Sequence, residues 1–327
     1  MRLFGRSPRE PRTRVFFATD VHGSERCFRK WLNAARAYDA QVLVLGGDLT
    51  GKVLVPLVSE GGDVYRGDLH GEPVEARGAE ELGELSRRIR MLGRYPVVVT
   101  PEEKARLDSD TAELEARFHA AMEESLRGWV ELADERLADQ DVAAFTMLGN
   151  DDAPELAGVL RSARRTTYAE DAVVPLPGGF EMASLGYSTP TPWHTPRELE
   201  EDELAARLEG LLDRLTDPAR AIVNLHCPPA GTHLDQVAKL NGDLRPVADA
   251  SGIVMTSAGS RAVRDAIERY RPLLGLHGHV HESPGAERLG ATLCLNPGSD
   301  YGDGVLRGAI VDLEPARGVA RWQLVQA

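Results

Sequence analysis

The sequence is poor in cysteine. Among its 327 residues only Cys27, Cys227 and Cys294 occur, and no two of them form a CxxC pair. An odd number of widely separated cysteines argues against a disulfide framework and against a cysteine-type zinc site. The same scarcity fits a reducing compartment, so we expect a cytoplasmic protein.

Basic charge and long apolar segments are also scarce. Lysine and arginine number 38 against 51 acidic residues, and the formal net charge is -13. A net negative charge argues against binding to nucleic acid or to an anionic membrane. No apolar run approaches the roughly 18 residues of a membrane-spanning helix. Residues 1–14 hold five arginines without the apolar core of a secretory signal, and we interpret them as a basic tail, with an anion-binding arm as the alternative.

From residue 15 onward, short β-rich apolar runs alternate with helical patterns. Such alternation is typical of a layered α/β domain, and it predicts one domain over residues 15–327. The strands that matter most for function are predicted at 15–19, 41–45, 142–148, 221–225 and 273–276. Thr195, Pro196 and Glu198 have the pattern of a helix N-terminus, so a helix is predicted to begin there.

An insertion at about residues 54–140 interrupts this alternation. Its pattern predicts a hairpin, a helix, a strand and then one or two long helices, at 63–76, 80–92, 95–100 and 101–140. The helical part carries one apolar stripe, whose simplest role is to pack on the core. Because the insertion lies between the strands that precede Asp48 and Asn150, it is also a candidate cap over a site or a dimer interface. Its candidate phosphate contacts are Arg66, Arg88, Arg90 and Arg94.

Metal-competent side chains follow five of the predicted strands. They are Asp20, His22, Asp48, Asn150, His226, His279 and His281. Strand ends of open α/β sheets are where ligands bind, so these side chains are expected to converge on the same edge of one sheet. Alternation along a strand would place both members of Asp-x-His, and of His-x-His, on one face. Imidazole, carboxylate and amide ligands suit Mn, Fe, Co, Ni or Zn better than Ca or Mg, and seven ligands fit two ions.

The order of these motifs resembles a known family. Asp20-x-His22, Gly47-Asp48, Gly149-Asn150-Asp151, His226 and Gly278-His279-x-His281 are similar to the motif series of the calcineurin-like metallophosphoesterase superfamily, the binuclear metallophosphatases. The branch of predicted phosphoesterases related to the Icc phosphodiesterases is the most similar. The motifs cover residues 15–282, and the later Asn296-Pro297-Gly298-Ser299 also resembles a segment of these proteins.

The resemblance implies a fold and a set of roles. The fold is a four-layer α/β/β/α sandwich of two mixed sheets, here with a hairpin-plus-helical insertion. Two divalent transition-metal ions are implied, and a hydroxide that bridges them would hydrolyse a phosphodiester or a phosphomonoester. The implied ligands are Asp20, His22 and His281 for one ion, Asn150, His226 and His279 for the other, and Asp48 as the bridge. The acidic charge favours a small soluble substrate, such as a nucleotide or cyclic nucleotide.

Two positions depart from the family pattern. The family commonly follows its ligand Asn with a His that assists the leaving group, whereas this chain has Asp151 and then Asp152. The candidate catalytic residues in its place are Asp151, His194 and His277. Either aspartate could instead cap a helix beginning at residues 153–154, and Asp152 fits that cap better. The second departure is Gly51, where many relatives carry another acid.

Other functions remain open at this level. The same site could serve a nuclease or a lipid-headgroup hydrolase, although neither a basic aromatic-bearing groove nor an exposed amphipathic face is evident in the sequence. Some relatives, such as the phosphoesterase-like retromer subunit, use the fold as a non-catalytic interaction scaffold. Homo-oligomerisation through residues 54–140 is a further expectation, and no membrane partner is expected.

Overall fold

The computed structural model describes residues 12–250 and 252–327. Most of the predicted basic tail, residues 1–14, lies outside the described residues. Its last two residues do not belong to a tail, because the first strand begins at Thr13. Arg14 in that strand forms an ion pair with Asp312, with Nε and Oδ1 2.7 Å apart.

Strands and helices alternate through the described residues. The strands are β1 (Thr13–Ala18), β2 (Val42–Gly46), β3 (Val53–Ser59), β4 (Val64–Leu69), β5 (Glu72–Arg77), β6 (Arg94–Val99), β7 (Ala143–Met147), β8 (Thr167–Tyr168), β9 (Ala172–Leu176), β10 (Phe180–Leu185), β11 (Ala221–Leu225), β12 (Gln236–Ala238), β13 (Ala248–Asp249), β14 (Gly252–Ile253), β15 (Met255–Ser257), β16 (Leu274–Leu276), β17 (Gly285–Leu289), β18 (Thr292–Asn296), β19 (Arg307–Glu314) and β20 (Gly318–Gln326). The helices are α1 (Glu25–Ala37), α2 (Gly78–Met91), α3 (Pro101–Ser109), α4 (Thr111–Arg136), α5 (Ala157–Arg161), α6 (Glu201–Leu212) and α7 (Arg261–Tyr270). No helix in this described part is long and apolar enough to cross a bilayer.

Two six-stranded mixed sheets form the centre of the protein. The first has the strand order β20-β19-β1-β2-β7-β8, and the second has the order β17-β18-β16-β11-β10-β9. In the first sheet β1, β2 and β7 are neighbours and run parallel. In the second sheet β10, β11, β16 and β18 also run parallel to one another. The predicted α/β class with mixed sheets is confirmed.

Alternating residues of the strands pack in different directions. Phe17 and Val44 of the first sheet share an apolar cluster with Met182 and Ile222 of the second. Their neighbours in the sequence, such as Phe16, pack instead with residues of α1 and α4. On the second sheet, alternate residues of β10 and β11 pack against α6 and α7. Because successive side chains of a strand point to opposite faces, both faces of each sheet are buried, one against the other sheet and one against helices.

The insertion contains more strand than the sequence predicts. Beside the predicted hairpin of β4 and β5, it has the strand β3, and the four strands form a sheet of order β5-β4-β3-β6. The sequence analysis missed β3 because Pro56 interrupts its apolar run, and proline is rare within sheets. The proline is tolerated because β4 pairs with β3 only at Val58 and Ser59.

The long helical stretch of the insertion is a pair of helices. Asp110 follows the end of α3, and its side chain accepts hydrogen bonds from the backbone N–H groups of Ala112 and Glu113, which caps α4. Met122, Leu126 and Trp129 of α4 are buried in the same cluster as α1. The apolar stripe is thus part of the core.

The prediction that a helix begins at Thr195 is wrong. Residues 195–200 form an irregular loop, and α6 begins only at Glu201. The local pattern is nevertheless present, because Glu198 accepts hydrogen bonds from the backbone N–H and the hydroxyl of Thr195. Tertiary contacts of this loop, described below, outweigh its helical propensity.

The burial of α4 makes a stability prediction. Trp129 is 5% exposed, and its ring stacks on Phe28 with centroids 4.3 Å apart. We expect Trp129→Ala to lower the free energy of unfolding by about 3–5 kcal/mol, because it leaves a cavity. Leu114→Ala on the same helix, where the side chain is 39% exposed, should change it by no more than about 0.5 kcal/mol. Urea unfolding of both variants measures the difference; equal small losses would mean that α4 is not part of the core.

Candidate metal centre

The expectation that the seven candidate ligands share the edge of one sheet is wrong, because they follow strands of both large sheets. Asp20 and His22 follow β1, Asp48 follows β2, and Asn150 follows β7. His226 follows β11, and His279 and His281 follow β16. Since β1, β2 and β7 are parallel neighbours, as are β11 and β16, each sheet presents its ligands at one edge.

Contacts between the two sheets bring these residues together. The backbone N–H of His279 donates to both carboxylate oxygens of Asp20, at 3.1 Å each, and His281 Nε2 lies 3.2 Å from Asp20 Oδ1. His279 Nδ1 lies 2.8 Å from Asn150 Oδ1. His226 Nε2 lies 3.4 Å from Asp48 Oδ2. His226 Nε2 also lies 3.8 Å from Asp20 Oδ1, and His22 Nε2 lies 3.1 Å from His281 Nε2. All seven predicted residues thus belong to one connected centre, which is buried except at the partly exposed His279 and His281.

The loops reach this geometry through unusual backbone conformations. Asp20, His22, Asp48 and His279 have φ values of 53°, 38°, 51° and 67°. A non-glycine residue in this left-handed region costs about 1–3 kcal/mol and is concentrated at functional sites. The side chains converge as expected, but strand alternation is not the reason. They converge through left-handed turns after the strands end.

The donor atoms fit metal ions. His22 Nε2 and His281 Nε2 face each other at 3.1 Å, and a proton or a cation between them relieves the repulsion of their lone pairs. The Nδ1 atom of His226 lies 2.9 Å from the carbonyl oxygen of Gly46 and donates to it, so the neutral form of this imidazole has its lone pair on Nε2. That buried Nε2 has no hydrogen-bond partner among the described residues.

Sets of three residues offer converging ligand atoms. The ligand atoms within each set lie within 4.8 Å of one another. The sets are Asp20 with His22 and His281, Asp20 with Asp48 and His226, and His22 with Asp48 and Asp151. The first contains the residues that the resemblance implies for one ion.

Charge in the centre also favours a cation. Burial by itself raises the pKa of Asp48, but His226 and His22 outweigh it and hold the pKa well below its usual range. Burial lowers the pKa of His226, but the carboxylates of Asp48 and Asp20 outweigh it and raise that pKa. Burial also raises the pKa of Asp20, but His226 and His281 outweigh it and lower that pKa to about 2. Both aspartates are therefore ionised, and their buried negative charge attracts positive charge.

Asp152 holds two ligand loops together. Its carboxylate accepts hydrogen bonds from the backbone N–H groups of Leu49, Thr50 and Gly149, at 3.0, 2.8 and 2.8 Å. The hydroxyl of Thr50 donates to it at 2.6 Å. The prediction of a helix cap was wrong for this residue, because the short 3₁₀ helix at Pro154–Leu156 follows Ala153 and has no side-chain cap. Asp152 instead fixes the loop of Asp48 against the loop of Asn150.

The loop at residues 195–198 positions Asn150. The Nδ2 group of Asn150 donates to Thr195 Oγ1 at 2.9 Å, which turns the amide oxygen of Asn150 toward His279. The buried side chain of Arg197 donates to the carbonyl oxygen of Gly149 at 2.9 Å and pairs with Glu170. Sequence reasoning missed Thr195 and Arg197 as positioning residues; the failed helix pattern was the only signal.

The segment Asn296-Pro297-Gly298-Ser299 supports the other side of the centre. Asn296 Nδ2 donates to the carbonyl oxygen of Val280 at 2.8 Å, between the two histidines of His-x-His. The Ser299 hydroxyl donates to the carbonyl oxygen of Asp20 at 2.6 Å. The ring of Tyr301 packs on His22, with centroids 4.6 Å apart.

Asp151 lies in the centre, and a lysine accompanies it. The Asp151 N–H donates to Asp48 Oδ1 at 3.0 Å, and its Oδ2 lies 3.8 Å from His22 Nδ1. Burial and the charge of Asp48 raise the pKa of Asp151 to about 6. Lys52 forms an ion pair with Asp151. Burial by itself lowers the pKa of Lys52, but Asp151 outweighs it and raises the pKa, so Lys52 is charged.

The other two candidate catalytic residues lie elsewhere. His277 is fully buried, with Nδ1 2.8 Å from the carbonyl oxygen of Leu225, and burial lowers its pKa to about 4. It packs over Gly275, on the same side of the strand as Cys294. His194 is exposed, in the loop next to Thr195. No group that could hold a metal ion contains either histidine within the part of the chain that the structure describes.

Three glycines join the insertion to the centre. An added Cβ atom at Gly51 would lie 2.2 Å from the carbonyl oxygen of Gly93, and one at Gly23 would lie 2.8 Å from Gly51. The N–H of Gly51 donates to the buried hydroxyl of Tyr95 at 2.6 Å. The acid that many relatives carry at this position has no room here, because the insertion fills its place.

This close approach predicts the effect of one methyl group. Gly51→Ala should lower the free energy of unfolding by about 1–3 kcal/mol and weaken metal retention, because the insertion must move away from the loop of Asp48. Gly128→Ala is the matched control, since the exposed Gly128 of α4 has no atom within 4 Å of an added Cβ. It should raise stability by up to about 1 kcal/mol. Thermal unfolding and metal analysis would show the contrast; two equally stable, metal-binding variants would contradict it.

Comparison with known proteins gives limited sequence similarity. No family model matches the chain. Uncharacterized protein MJ1162 of Methanocaldococcus jannaschii is 26% identical over 151 residues. This match includes 46% of the chain and 61% of the relative, so it spans less than two thirds of the relative's length.

Similarity to solved structures extends over almost the whole chain. One crystal structure matches with a TM-score of 0.55 and 17% identity, and covers 97% of this chain and 99% of that chain. TT1561 of Thermus thermophilus matches with a TM-score of 0.52 and 14% identity, and covers 96% of this chain and 98% of that chain. At this identity the likeness concerns the fold. The chain therefore shares its overall fold with these two structures over almost its whole length.

Proposed function

We propose that this protein is a metal-dependent phosphoesterase. The observation that carries the proposal is the convergence, from two sheets, of buried carboxylates, an amide oxygen and four imidazoles. Such a mixture of oxygen and nitrogen donors suits first-row transition metals. The apolar clusters between the sheets and beneath the helices support the α/β/β/α order of layers that the resemblance implies.

The seven ligands fit two ions better than one. Asp20, His22 and His281 would hold one ion, and Asn150, His226 and His279 the other, with Asp48 between them. When bound, such a pair of ions supplies Lewis acidity and lowers the pKa of a bound water molecule to about 7. The chain itself orients the donors: Gly46 fixes the tautomer of His226, and Thr195 turns the amide of Asn150.

Among the candidates for protonating the leaving group, geometry favours Asp151. Asp151 lies beside His22 and Asp48, whereas His277 is fully buried against the carbonyl oxygen of Leu225 and His194 is exposed in its loop. The proposed role for Asp151 is to orient or protonate the leaving-group oxygen.

We propose a small soluble phosphodiester or phosphomonoester, such as a nucleotide or cyclic nucleotide, as the substrate in the cytoplasm. The net charge of -13 supports this preference over a nucleic acid or a membrane lipid. The filled ligand set favours an enzyme over a non-catalytic scaffold. Since the stripe of α4 is buried, the contact of Gly93 with Gly51 supports a proposed cap role for the insertion better than a dimer interface.

Hydrolysis of model esters tests the proposal. Metal-stripped protein given Mn, Fe, Co, Ni or Zn should hydrolyse p-nitrophenyl phosphate or bis-p-nitrophenyl phosphate, and the purified protein should contain about two metal equivalents. Release of p-nitrophenol and elemental analysis provide the two measurements. Absence of turnover together with absence of bound metal, even after reconstitution, would contradict the proposed function.

Replacement of the bridging carboxylate provides the control. Asp48→Asn should reduce turnover by at least about 100-fold, since it removes the charge that both ions would share. Asp108→Asn on the exposed helix α3 is the matched substitution, and it should leave turnover unchanged. Circular dichroism confirms that both variants fold. Full activity of a folded Asp48→Asn protein would exclude the proposed bridging role.

A further inference from the structure

Lys52 is an unusual cation at this centre. It lies four residues after Asp48, and its ammonium group pairs with Asp151, whose Oδ2 lies 3.8 Å from His22 Nδ1. Its side chain is still 49% exposed. Across residues 12–250 and 252–327, no other lysine or arginine forms an ion pair with Asp20, Asp48 or Asp151. The residue therefore connects the buried centre with solvent.

Three of the four arginines that the sequence suggested as phosphate contacts have other partners, and the fourth lines a cavity away from the seven ligands. Arg66 pairs with Glu60 and Glu75 on the small sheet. Arg90 lies 3.7 Å from Glu25, and Arg94 Nη2 lies 2.9 Å from His70 Nδ1. Arg88 lines a surface cavity of about 400 Å³ with Arg26 and Arg87, and that cavity contains none of the seven ligands. None of these contacts places an arginine at the metal centre.

We propose that Lys52 binds an oxygen of the substrate's phosphoryl group, and that Asp151 holds the lysine beside the metal centre until the substrate arrives. This inference rests on the proposed phosphoesterase function. Three carboxylates surround the site, so an anionic phosphate needs positive charge in addition to the ions. A half-exposed lysine on a flexible four-carbon chain can pass from a carboxylate to a phosphate with little rearrangement.

The pairing with Asp151 explains why a lysine is suitable here. A bidentate arginine–carboxylate pair would be more rigid and harder to release. Lys52 has a single ammonium group with three donors, so it can keep one hydrogen bond to Asp151 while another is directed to a phosphate oxygen. Asp151 is then a positioning residue for Lys52, in addition to its place beside His22.

Binding of inorganic phosphate to the metal-reconstituted protein tests the proposal without turnover. Isothermal titration calorimetry should show that Lys52→Met raises the dissociation constant for phosphate by about tenfold or more, the order expected for loss of a charge-assisted hydrogen bond. Lys52→Arg keeps the charge and should weaken phosphate binding less than Lys52→Met does, because the guanidinium can still reach the phosphate but leaves Asp151 less readily. Lys104→Met removes a lysine that pairs with Asp108 on α3, and it should have no effect. The metal content of all variants should equal that of the wild type.

A double variant separates phosphate binding from mere neutralisation of Asp151. If Lys52 only balances that carboxylate, Lys52→Met combined with Asp151→Asn should restore wild-type phosphate affinity. We expect the affinity to stay low, because the cation that contacts phosphate is still missing. Wild-type affinity in Lys52→Met, its recovery in the double variant, or no phosphate binding to the wild-type protein would each overturn the proposal. Phosphate binding that depends on Lys52 in a protein without esterase activity would instead contradict the proposed function alone.

Discussion

The whole arrangement depends on keeping the carboxylates of Asp20 and Asp48 buried beside histidines of a second sheet. Buried charges of the same sign repel each other and lose their hydration, so they persist only where opposite charge and hydrogen bonds compensate. His226 and His281 supply part of that compensation, and the backbone N–H of His279 supplies hydrogen bonds to Asp20. Metal ions would supply the remaining positive charge, which makes ion binding and local stability interdependent.

The two sheets act as rigid supports for this cluster. Their shared apolar core fixes the distance between the strand ends, and left-handed turns then direct the side chains inward. Residues outside the seven ligands hold the turns: the buried Asp152 joins two loops of the first sheet, and Ser299 joins the second sheet to the carbonyl of Asp20. A centre of this kind tolerates little movement, since each loop is bonded to its neighbour.

The insertion belongs to this support as much as to the surface. Its long helix α4 packs on α1. The carbonyl oxygen of Gly93, just before strand β6, lies against the backbone at Gly51. Sequence patterns predicted most strands and helices, because the periods of apolar residues follow burial directly. They missed β3 at Pro56 and placed a helix at Thr195, where contacts with Asn150 outweigh a local capping pattern.

The sequence by itself determined the alternation of strands and helices, the seven side chains at strand ends and the resemblance that their order carries. These follow from local periodicity and from residue types, which the chain displays without folding. Only the tertiary structure decided that the ligands come from two sheets, that Asp152 and Thr195 position them, and that Lys52 lies beside Asp151. Contacts such as that of Asp152 with Thr50 join residues separated by about a hundred positions, and no local pattern encodes a contact that exists only after the sheets have packed.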